Sequence, residues 1–186
     1  MTTTQRNPID HLAELFDGAG GKEYLGERVT TATHMLQAGA RAEAAGAPDH
    51  LVAAALLHDI GHFPGLVSDT DPTADTDDHH DDHGADWLAR WFEESVSEPV
   101  RMHVAAKRYL CAVEPGYFDK LSETSVHTLR LQGGPMSEQE VRDFEASPHA
   151  RAAVELRRWD EAAKDPHAPT PDFEHFRPLL ESLVNA

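Results

Sequence analysis

Six side chains of this 186-residue chain have the types and the spacing to hold metal: His34, the adjacent pair His58 and Asp59, His80, His103 and Asp160. Four imidazoles and two carboxylates suit borderline first-row ions such as iron, manganese or zinc, and the set contains no thiolate to favour a softer ion. Successive residues of an α-helix point about 100° apart, so His58 and Asp59 can serve one cluster only as neighbouring ligands near a helix end. A carboxylate placed there has two oxygens and can bridge two metals. His79 and His83 flank His80 in the same acidic run and are alternatives to it. His11, His50, His127, His149, His167 and His175 have no partner at metal spacing and read as surface or packed residues.

The elements that must position these residues are helical. Apolar residues recur at helical spacing almost throughout, without a run of strict alternation bounded by hairpin turns. The expected fold class is therefore all-α, a helical bundle in a single domain over residues 1–186. Asn7-Pro8 opens a helix carrying Ile9, Leu12, Leu15 and Phe16, which ends at Gly18, Gly20 and Gly21. A second helix is expected to begin between Tyr24 and Glu27, to carry Val29, Leu36 and Ala40, and to stop at Gly46. Pro48 and Asp49 open a third, Leu51 to Leu57, apolar nearly all round and so central. The Asp-, Thr- and Pro-rich stretch 64–78 supplies no packed face and reads as a solvated loop or lid. Further helices are expected at about 79–93, 98–111, 118–130, 137–146, 148–163 and 173–184. Trp87, Trp91 and Phe92 fall at core spacing.

Charge narrows the partners. With 16 Lys+Arg against 33 Asp+Glu, the formal charge is −17, a field that repels phosphate backbones and anionic membranes. Nucleic acid and membrane are not expected partners, and an anionic small molecule must be drawn in by a local positive patch or a metal. Cys111 is the only cysteine, Met1 to Asn7 lacks an apolar signal segment, and no apolar run approaches the roughly 20 residues that span a bilayer. A cytoplasmic location is the expectation, and nothing in the sequence fixes an oligomeric state.

The order His34, His58-Asp59, Asp160 resembles the H…HD…D signature of the HD-domain superfamily, over most of the chain. The resemblance sharpens with Tyr24-Leu25-Gly26-Glu27, His58-Asp59-Ile60-Gly61-His62, His80 four residues before Gly84-Ala85, and His103 to Leu110. It continues through Ser125 with Thr128, Gln132-Gly133-Gly134-Pro135-Met136, and Arg157 with Trp159-Asp160. Together these motifs resemble the PhnZ-type mixed-valent di-iron oxygenases, relatives of myo-inositol oxygenase that cleave the C–P bond of 1-hydroxyphosphonates. The position of Gly84-Ala85 favours His80 over His79 and His83.

The resemblance implies two irons, an Fe(II)/Fe(III) pair, with O₂ as cosubstrate. One iron would be held by His34, His58 and Asp160, the other by His80 and His103, and Asp59 would bridge them. His62, Lys107, Ser125, Thr128, Gln132 and Arg157 would surround the phosphonate. Their chemistry agrees, since Lys, Arg and neutral donors are what a phosphonate dianion needs inside an acidic protein. Lys107 lies four residues after His103 and Arg157 three before Asp160, so each cation shares a helix face with a candidate ligand. Tyr24 would occupy an iron position until substrate arrives, and Glu27 would take a cationic amine. That amine could be primary, giving glycine, or trimethylated, giving glycine betaine. Tyr109 and Tyr117 are the candidate rings to enclose a quaternary head. The alternatives are a metal-dependent phosphohydrolase, which would use the same ligands on a phosphate ester, and a metal-binding module without turnover.

Overall fold

The structure is a computed structural model and describes residues 7–18, 27–63, 66 and 79–185. Tyr24, Gly20 and Gly21 lie outside the described residues, as does the 64–78 stretch apart from Leu66. The described residues form α1 (Pro8–Asp17), α2 (Thr31–Ala44), α3 (Asp49–Leu57), α4 (His80–Leu88), α5 (Glu94–Arg101), α6 (His103–Val113), α7 (Glu123–Leu131), α8 (Glu138–Glu145), α9 (Ala150–Ala162) and α10 (Phe173–Leu183). Short 3-10 turns at Ile60–His62 and Phe118–Lys120 complete them, and no strand occurs among the described residues. None of the helices is long and apolar enough to cross a membrane.

Local chemistry sets half of the helix starts among the described residues. The side chain of Asn7 accepts from the Ile9 N–H at 2.9 Å, with Pro8 at the first helical position, where its missing N–H costs nothing. Ser122, Ser137 and Asp172 cap α7, α8 and α10 in the same way. Helix α3 is buried along its whole length from Leu51 to Leu57. It packs against α2, α5, α9 and α10, which is why it has no polar face. Its C-terminus, where His58 and Asp59 sit, therefore lies inside the bundle.

Several helix boundaries differ from the sequence reading. Helix α2 starts at Thr31, later than expected, because Thr30 stops in extended backbone and its hydroxyl caps the Thr33 N–H at 3.1 Å. Residues 27–29 form a bend instead, which leaves Glu27 outside the helix. The expected helix over 98–111 is two helices, α5 and α6, that meet at Met102. His103 then opens α6, and its Nδ1 donates to the Val100 carbonyl of α5 at 2.7 Å. Likewise, α7 begins only at Glu123, after a 3-10 turn, and α4 ends at Leu88.

Gly61 and Gly84 explain how the 3-10 turn meets α4. A Cβ on Gly61 would lie 2.0 Å from the His80 carbonyl oxygen, and one on Gly84 would lie 3.2 Å from the Gly61 nitrogen. The two backbones touch, which brings His80 to Asp59. Gly61→Ala must push them apart. We expect it to cost about 2 kcal/mol, roughly 6 °C in melting temperature, and to lower bound metal. Thermal unfolding with metal analysis checks this, and a variant matching wild type in both would show that the contact is dispensable.

Candidate metal centre

Five helices converge on a buried cluster. His34 comes from α2, His58 from the end of α3, Asp59 from the residue after it, His80 and His103 from the first positions of α4 and α6, and Asp160 from the last turn of α9. All six are buried. They form two trios, His34 with His58 and Asp160, and Asp59 with His80 and His103, and the ligand atoms within each trio lie within 4.8 Å of one another.

Asp59 joins the trios. Its Oδ2 lies 3.5 Å from His34 Nε2 and 3.3 Å from His58 Nε2, while its Oδ1 lies 3.4 Å from both His80 Nε2 and His103 Nε2. Ligand atoms about 2.1 Å from a common ion at right angles stand about 3 Å apart, so these spacings suit coordination. The sequence places no constraint on which carboxylate oxygen faces which histidine, and this division exists only in the fold.

The tautomers point the same way. Nδ1 of His34 donates to the Ala163 carbonyl at 2.9 Å, Nδ1 of His58 to the Ala55 carbonyl at 2.8 Å, and Nδ1 of His103 to Val100. In neutral imidazoles this leaves a lone pair on each Nε2. Yet His34 Nε2 and His58 Nε2 are 3.1 Å apart. Facing lone pairs repel unless a cation sits between them. Asp160 Oδ1, buried without a hydrogen-bond partner, lies 3.2 Å from His34 Nε2. Orphaned acceptor and facing lone pairs together fit a divalent or trivalent ion.

The charges of the cluster make the same demand. Burial opposes charge on His58, but the carboxylates of Asp59 and Asp160 outweigh it and lift the imidazole to about 10. His34 is raised by the same two carboxylates against the same burial. For His103 burial prevails and its pKa falls, helped by charge on His80. Burial also opposes ionisation of Asp59 and Asp160, yet the His58 charge beside Asp59 and the Arg157 charge beside Asp160 hold both well below the usual carboxylate range. The centre thus requires positive charge, from protons or from metal.

A pocket opens beside the second trio. It is lined by Asp59, His80, His103 and Asp160, and further by Glu27, His62, Lys107, Ser125, Thr128, Gln132, Arg157 and Lys164. His62 stacks on His80, with ring centroids 4.0 Å apart. Lys107 donates to Thr128 Oγ1 at 2.8 Å, and the buried Gln132 Oε1 has no hydrogen-bond partner. Arg157 donates from Nε to the Tyr117 hydroxyl at 3.2 Å and from its two Nη atoms to Asp160 and Glu161. Those bonds aim the guanidinium and use three of its five N–H donors.

Sequence reasoning missed Lys164, Glu161 and Ser122. Glu161 follows Arg157 and Lys164 follows Asp160 at four residues, a spacing that could have marked each for the same side as its predecessor. Ser122, a helix cap, carried no such signal. Tyr109 stacks on Phe144 and donates to Glu145 at 2.8 Å, away from the pocket. Tyr117 is spent on Arg157. His79 is exposed, in contrast to buried His80. Arg108 and Arg158 are paired outside the site, with Glu140 and Glu114.

The model of the HD domain matches residues 28–142. The chain is 46% identical, over 96% of its length and 91% of the relative's, to a [1-hydroxy-2-(trimethylamino)ethyl]phosphonate dioxygenase (glycine-betaine-forming) of Leisingera caerulea. It is 39% identical, over 99% of its length and 93% of the relative's, to a hydroxymethylphosphonate dioxygenase of Gimesia maris.

Proposed function

The chain belongs to the HD-domain family and, within it, to the PhnZ-type phosphonate dioxygenases, and on that premise we propose that it cleaves the C–P bond of a 1-hydroxyphosphonate with O₂, releasing phosphate and a carboxylate. The observation that carries the reading is the sharing of Asp59 between two trios that border an anion pocket. One metal would bind His34, His58 and Asp160, the other His80 and His103, with Asp59 between them, and we assign these metals as an Fe(II)/Fe(III) pair. When bound, the pair supplies the Lewis acidity and the one-electron chemistry that O₂ requires. We also place the protein in the cytoplasm, with a small-molecule substrate.

The protein's own part is to bind, orient and exclude. Lys107, Arg157, Ser125, Thr128 and Gln132 would receive the phosphonate oxygens, whose charge the acidic surface would otherwise repel. Holding that group fixed presents the carbon bearing phosphorus and hydroxyl to the metal side of the pocket. His62, stacked on His80, would close one wall. Tyr24 would hold an iron position until substrate arrives, and Glu27 would act at the substrate's far end.

Lys107 makes binding pH-dependent. Burial first, and then the charge of Arg157, lower its ammonium to about 7. Above that pH the amine is largely neutral in the free protein, and a bound dianion restores its proton. Binding therefore takes up a proton, and phosphonate affinity should fall as pH rises above about 7, by up to tenfold per unit. Calorimetry at several pH values checks this, and Lys107→Met should flatten the slope. A wild-type profile identical to that of the variant would remove Lys107 from the site.

The reaction is tested by anaerobic iron reconstitution followed by O₂, with hydroxymethylphosphonate, 2-amino-1-hydroxyethylphosphonate and its N-trimethyl analogue in parallel. Phosphate release matched by O₂ uptake is expected. Phosphate from esters without O₂, and none from the hydroxyphosphonates with it, would instead make the protein a hydrolase.

A further inference from the structure

Glu27 is the residue expected to receive a substrate ammonium, yet the fold already presents it with one. Lys164, just beyond α9, places its Nζ 3.2 Å from Glu27 Oε1, 3.2 Å from Ser122 Oγ and 3.1 Å from Ser125 Oγ. Ser122 also donates to the same Glu27 oxygen at 2.6 Å. This is no solvated surface pair, because the Lys164 and Glu27 side chains are only 14% and 13% exposed. Both line the pocket that holds Asp59, His80 and His103.

We infer that Lys164 is a specificity-determining residue whose ammonium occupies Glu27, so that a 1-hydroxyphosphonate with a cationic substituent binds only by exchanging with it, whereas one without a cation binds with Lys164 in place. The inference rests on the function proposed above. Exchange is feasible because Glu161 Oε1 lies 3.7 Å from the same ammonium and would keep a counter-charge beside it after it leaves Glu27. Without exchange, two cations would share one largely buried carboxylate, and like charges there repel strongly. A substrate with no cation meets no such opposition. Among the described lining residues there is also no phenyl, phenol or indole ring to compensate a quaternary head by cation–π attraction.

The test compares Lys164→Met with wild type by calorimetry, using iron-loaded protein under argon. The ligands are hydroxymethylphosphonate, which has no substituent, and 2-amino-1-hydroxyethylphosphonate. The expected result is that the ratio of the two Kd values moves about tenfold toward the cationic ligand, and that Lys164→Gln moves it the same way. The gain should vanish when Glu27→Gln is added. An unchanged ratio, whether both affinities fall together or neither moves, overturns the assignment, as does a shift toward the uncharged ligand. Binding without O₂-dependent phosphate release would remove the proposed reaction and leave the role of Lys164 standing. Wild-type protein that binds neither ligand overturns both.

Discussion

Asp59→Asn is expected to reduce O₂-dependent phosphate release by more than about 100-fold, the upper range for losing only a partner of a metal ligand, and to reduce bound iron from about two per chain to one or fewer. The reason is geometric. Each Asp59 oxygen faces a different pair of histidines at 3.3 to 3.5 Å, and among the described residues no side chain belongs to both trios to replace it. Asparagine keeps the shape but removes the charge and turns one oxygen into an N–H donor, which cannot face a cation. The loss should therefore fall on one trio more than the other, and metal analysis beside turnover reads both effects. A variant that keeps two irons and full activity would show that Asp59 does not bridge. Circular dichroism must accompany the assay, since only a folded variant bears on the bridge.

Arg157→Met should have the largest effect on stability. The guanidinium is buried and pairs with Asp160 and Glu161 while holding the Tyr117 hydroxyl. Burial opposes its charge, but Asp160 foremost among its neighbours raises its pKa above the ordinary arginine value. Methionine fills similar space and leaves the buried Asp160 and the partly buried Glu161 without that cation. Breaking a buried pair from one side costs about 3–5 kcal/mol, which for a chain of this size is roughly 10 °C in melting temperature. The drop should be greatest without metal and partly recovered with it, because a bound cation neutralises Asp160. Glu161 keeps Lys164 in either state, which caps the loss. Melting curves of both proteins, with and without iron, check this. Equal drops in the two states would mean that Asp160 does not face the metal.

Much of this site was legible before any coordinates. A buried imidazole or carboxylate needs a partner, so the six metal-site candidates stood out by type, and their order along the chain carried the family resemblance. The all-α reading followed from apolar spacing, and the caps at Asn7 and Pro8 from local hydrogen bonding, because both depend on residues a few positions apart. Where two local signals compete, spacing alone misplaces the boundary. The Thr30 cap shortened α2, and the break at Met102 divided what apolar periodicity reads as one helix.

What the chain's order could not determine was set by contacts between distant segments. Glu27 and Lys164 are 137 residues apart, and each alone is an ordinary charged residue on a polar stretch. Their pairing depends on where the bend before α2 and the end of α9 are carried by the core. The approach of Gly61 to His80, which brings His80 to Asp59, is a steric fact between two backbones. The sequence by itself determined the donor types and the helices that bear them, since side-chain chemistry and helical period are local. Only the tertiary structure decided which oxygen of Asp59 faces which histidine and which ammonium Glu27 meets, because packing, not local preference, sets distances across a fold.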